Sequence, residues 1–146
     1  MSVLAPAPSQ PTRRERLRAP GLVVGGLALA TLALRLRDPH VAGSWGLCPS
    51  AALGFWCPGC GGLRAVNDLT HGDVAAAASS NLLLVVLAPV VVVLLGLWAL
   101  TRWRGRPVAR LRGRAAPVVL VTALAAVAAF TLLRNLPLPL GGWLAP

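Results

Sequence analysis

Three long runs without a charged side chain constrain this chain more than any other feature. Residues 19–34, 82–101 and 115–133 hold 16, 20 and 19 residues with no Asp, Glu, Arg or Lys. A helix rises about 1.5 Å per residue and a bilayer core is about 30 Å thick, so the second and third runs cross it as they stand. The first covers about 24 Å and reaches both interfaces if Arg18 and Arg35 snorkel. Only 12% of the 146 residues are charged, too few to cover a soluble globule, and 56% are apolar, which excludes a disordered chain. A cleaved leader would place its core in the first run, with Ala28-Leu29-Ala30 as the cut. The run continues past that point, so a span is expected instead.

The arginines set the expected topology. All 14 basic residues are Arg, and there is no Lys. Ten fall in the N-terminal tail and in the segment after the second run, which three spans put on one side; Arg35, Arg37, Arg64 and Arg134 fall on the other. The positive-inside rule then predicts a cytoplasmic N-terminus and an extracytoplasmic segment between the first two spans. Arginines clustered at span ends argue against nucleic acid as a partner and for membrane lipids. Trp98 and Trp103 at one end, and Trp45, Trp56 and Trp143 at the other, fit interfacial belts. The expected division is a disordered basic tail over 1–18, spans at 19–36, 81–101 and 115–134, a cysteine loop with a short amphipathic helix at 37–80, an Arg-rich loop at 102–114 and a tail at 135–146. Pro89 is expected to bend the second span. Gly21/Gly25 and Ala125/Ala129 stand four apart, and such small-residue faces suit another membrane protein or a second copy.

Chemistry concentrates in the outer segment. It holds Cys48, Cys57 and Cys60, both histidines and three of the four acids. Leu63, Val66 and Leu69 predict a short helix after Cys60, with Arg64 and Asp68 paired on its polar side. Gly72 is expected to end that helix, and Asp73 to cap the next.

Cys48-Pro49, Gly54, Cys57-Pro58-Gly59-Cys60-Gly61, Arg64-Ala65, Gly72-Asp73, Ala76 and Asn81 together resemble the domain-of-unknown-function family 2752. Leu53, Leu63 and Leu82 stand where that family has Thr, Thr and Pro. The resemblance implies a small bacterial membrane protein with a cysteine loop, and no established activity.

Three chemistries fit the cysteines. A disulfide from Cys48 to Cys57 or Cys60 would staple the loop in an oxidising compartment, leaving one thiol over. A zinc knuckle would use Cys48, Cys57, Cys60 and His71 as a Cys₃His set. Thiol–disulfide exchange would use Cys57 and Cys60 as the reactive pair and Cys48 as the resolving thiol. No Walker loop, paired-His protease motif or nucleophile elbow occurs in the sequence. The expectation is an all-α membrane protein with three transmembrane helices. Its disulfide- or zinc-tied loop would serve membrane-surface packing or partner binding, with a membrane thiol oxidoreductase as the alternative.

Overall fold

The computed structural model describes residues 12–41, 45, 48–106 and 115–145. Its described residues form helices and no strand: α1 (Arg13–Leu36), α2 (Pro49–Ala52), α3 (Gly62–His71), α4 (Val74–Trp103), α5 (Ala115–Asn135) and α6 (Pro139–Leu144). Three of them, α1, α4 and α5, are long and apolar enough to cross a membrane, and their apolar side chains are largely exposed.

The first span begins earlier than the charge pattern predicts. Thr12 and Glu15 form a capping box, with each side chain accepting from the other's backbone N–H, so α1 starts at Arg13 and takes in four arginines expected in the tail. Residues 1–11 of that tail, and 107–114 of the Arg-rich loop, lie outside the described residues. At 24 residues, α1 is about 36 Å long, and its added first turns carry the arginines while the uncharged run stays at residues 19–34. Arg13 stacks on the Trp103 ring, 3.4 Å from its centroid, so the start of α1 and the end of α4 lie at the same end of the molecule.

Helix α3 packs between α1 and α4. Gly72 ends it at φ +82°, a left-handed conformation that costs glycine least, and Asp73 caps α4 by accepting from the Ala76 N–H at 2.8 Å. Its buried residues are Ala65 and two polar ones: Asn67 Nδ2 donates to the Leu34 carbonyl at 2.7 Å, and Asp68 accepts from Ser80 Oγ at 3.0 Å. The expected Arg64–Asp68 pair does not form. Asp68 instead faces His40 Nε2 at 3.3 Å, and Arg64 Nε reaches the Pro39 carbonyl at 3.5 Å. The non-helical break in α4 lies at Asn81 (φ −161°, ψ 91°), and Pro89 stands inside the helix that follows. Asn81 Oδ1 accepts from the Leu84 N–H at 2.9 Å and so caps the apolar part of α4 that follows it.

Candidate functional site

The cysteine turn is built from two short local motifs. Cys48 stands at the N-cap of α2, with Pro49 at the first helical position. Cys57-Pro58-Gly59-Cys60 closes as a turn, with the Cys60 N–H on the Cys57 carbonyl at 3.0 Å. Gly61 (φ +76°) then redirects the chain into α3. These two pieces bring together all three cysteines that the spacing singled out.

Cys60 is the centre of the cluster. Its Sγ lies 3.0 Å from Cys57 Sγ and 3.1 Å from Cys48 Sγ, and all three sulfurs lie within 4.8 Å of one another. No pair is at disulfide bonding distance, and Cys60 is 5% exposed. Ser50 Oγ joins them, 3.1 Å from Cys48 Sγ and 3.5 Å from Cys60 Sγ. Ser50 is a neighbour that the sequence reading passed over; its place two residues after Cys48, in the first turn of α2, is the only signal for it.

Hydrogen bonding sorts the three thiols. The Ser50 hydroxyl and then the Cys60 thiol donate toward Cys48, drawing its pKa down to about 6. The Cys60 thiol also lowers that of Cys57. Cys60 itself is pushed up to about 11, first by burial and then by keeping the proton it donates. Cys48 is therefore the sulfur readiest to ionise, and Cys60 the one that holds its proton longest.

His71 is not part of this cluster. It is the last residue of α3, a helix of 10 residues or about 15 Å, and its Nδ1 lies 2.9 Å from the Asn67 carbonyl. The group of possible metal ligands among the described residues is Cys48, Cys57 and Cys60, without a histidine or a carboxylate. His40 likewise stands apart, with Nδ1 on Asp38 at 2.8 Å.

Two of the long apolar helices hold the turn through its backbone. Asn81 on α4 donates from Nδ2 to the carbonyls of Pro58 at 2.9 Å and Cys60 at 3.0 Å. At the end of α5, Arg134 Nη1 donates to the carbonyls of Cys57 at 3.1 Å and Cys60 at 3.2 Å. Asn135 clamps Trp56, accepting from its N–H at 2.9 Å and donating to its carbonyl at 2.8 Å. Arg134 is 1% exposed and Asn81 2%. The sequence marked Asn81 only as part of a resemblance, and Arg134 only as a topology charge.

The three sulfurs lie within 4.8 Å of one another, close enough to hold one metal ion. The two separations at Cys60, 3.0 and 3.1 Å, are shorter than the roughly 3.8 Å between thiolates on a tetrahedral ion with bonds of about 2.3 Å, so the turn would open slightly around such an ion. Three thiolates and one further ligand complete a tetrahedral site, and Ser50 Oγ lies 3.1 Å from Cys48 Sγ.

Residues 48–95 match the model of a family described as protein of unknown function (DUF2752). The match covers the cysteine turn, α2, α3 and most of α4. It is the family that the cysteine and glycine pattern resembles. No curated protein and no solved structure matches the chain.

Proposed function

We propose, from the matched segment and the sulfur geometry inside it, that this chain is a non-enzymatic bacterial membrane protein whose outer loop is tied by zinc. The observation that carries this reading is the convergence of all three cysteines on one point. Three thiols cannot all pair in one disulfide, whereas one metal ion uses all of them. Cys48, Cys57 and Cys60 would be the protein ligands, and zinc would supply a link between α2 and the turn before α3.

The tied loop would lie on the extracytoplasmic end of the spans, with the N-terminus in the cytoplasm. The arginine distribution supports that orientation. Lipids would surround the exposed spans. Gly21 and Gly25 on α1, with no atom within 4 Å of an added Cβ, and the exposed Ala125 and Ala129 on α5 offer close-packing faces to a partner helix or a second copy.

The test is a thiol count with metal analysis on gently solubilised, membrane-purified protein. The expected result is close to one zinc per chain, with three thiols alkylated only after chelation. Protein with no zinc and one disulfide would overturn it.

A second reading has its own observation. Cys60 stands almost equally far from Cys57 and Cys48, and Cys48 is the most acidic of the three. In that reading Cys48 thiolate attacks Cys60 of a Cys57–Cys60 disulfide, a Cys48–Cys60 bond forms, and Cys57 leaves as thiolate. A disulfide that opens and closes in mild dithiol buffers would favour this exchange chemistry over the metal.

A further inference from the structure

Among the described residues, Arg134 is a buried cation without an acidic partner. It is 1% exposed, and Nη1 is spent on the Cys57 and Cys60 carbonyls. Its Nε and Nη2 are buried and have no hydrogen-bond partner. Its guanidinium carbon lies 5.0 Å from the Phe130 ring centroid, a contact that offsets only part of the lost hydration. A buried charge of this kind costs several kcal/mol unless an opposite charge lies close by.

The four acids do not supply that charge. Glu15 is bonded to Thr12, Asp38 to His40, Asp68 to Ser80 and His40, and Asp73 to the Ala76 N–H. The guanidinium sits instead on the backbone of the cysteine turn, through the Cys57 and Cys60 carbonyls, where thiolates at those residues would supply the opposite charge. The burial of Arg134 is thus explained if the sulfur cluster is anionic.

We propose that Arg134 is the counter-charge of the metal-loaded cluster, a positioning residue that sets its affinity from the end of α5. The inference rests on the zinc reading above. A divalent ion on three thiolates leaves one negative charge in excess, and one guanidinium cancels it. The three protons that the thiols give up pass to solvent. The same side chain holds the Cys57 and Cys60 carbonyls, so metal on the loop and the seating of α5 are coupled. That coupling reaches beyond the segment the family match covers, since α5 lies outside residues 48–95.

The experiment measures zinc affinity by chelator competition on full-length, detergent-solubilised wild type, Arg134→Gln and Arg134→Lys, with cobalt(II) charge-transfer bands as a second readout. Gln keeps amide donors for the two carbonyls and removes the charge; Lys keeps the charge. The expected result is a tenfold to hundredfold loss for Gln, roughly the size of outer-sphere effects on metal sites, with Lys recovering most of it. Circular dichroism and gel filtration check that each variant folds. A Gln variant within twofold of wild type overturns the proposal, as does a Lys variant as weak as Gln. If Gln fails to fold, a Lys variant more than tenfold weaker than wild type overturns it alone. Wild type that takes up neither zinc nor cobalt overturns the zinc reading itself, an outcome distinct from the others.

Discussion

Cys60 carries more of the site than either of the other sulfurs, because it touches both and is the only one buried. In metal-free, reduced protein its proton should be lost only near pH 11, whereas Cys48 should ionise near pH 6. The thiolate is the form that alkylates, so Cys48 labelling should rise with pH and level off above about 7, while Cys60 should stay slow through neutral pH. Peptide-resolved alkylation rates against pH check this, and equal rates for both at pH 7 would contradict it. Cys60→Ser should abolish zinc retention, and His71→Ala should leave it unchanged, as elemental analysis of the purified variants will show. His71 had the right chemistry for a fourth ligand. Its position along the chain does not reveal that α3 runs straight, leaving it at the far end on the Asn67 carbonyl.

At the scale of elements, side-chain amides on the spans hold the loop. Asn81→Leu removes donors from two carbonyls and the cap from the Leu84 N–H; Asn135→Leu removes both bonds to Trp56. Each should destabilise the protein by roughly 1–3 kcal/mol for every buried polar group left unpaired. Chemical unfolding in detergent checks the size, and a change below about 0.5 kcal/mol would contradict the clamp. Asp73→Ala should cost about 1 kcal/mol through the lost cap of α4 in the same assay. The helices and the Gly72–Asp73 junction were legible in the sequence because caps and turns are local. Asn81 was harder to read: Pro89 has the stronger local signature for a bend, yet the break follows the tertiary bonds that Asn81 makes to the cysteine turn. Arg134 and Asn135 were not legible at all as loop anchors. They reach residues 77 and 79 positions away, and an arginine at a span end normally marks only the membrane surface.

At the scale of the whole molecule, the start of α1 and the end of α4 meet through Arg13 and Trp103, and the cysteine cluster lies at the opposite end of α4. A cysteine introduced at Thr12 in a cysteine-free background should therefore be shielded from a membrane-impermeant maleimide in intact cells, with one at Leu53 labelled; the reverse pattern would contradict the orientation. The proposed zinc tie is tested most directly by zinc-edge X-ray absorption on the membrane-purified protein. The expected shell is three sulfur neighbours at about 2.3 Å and one oxygen or nitrogen. A zinc shell made only of light atoms, or a purified chain without zinc, would contradict it.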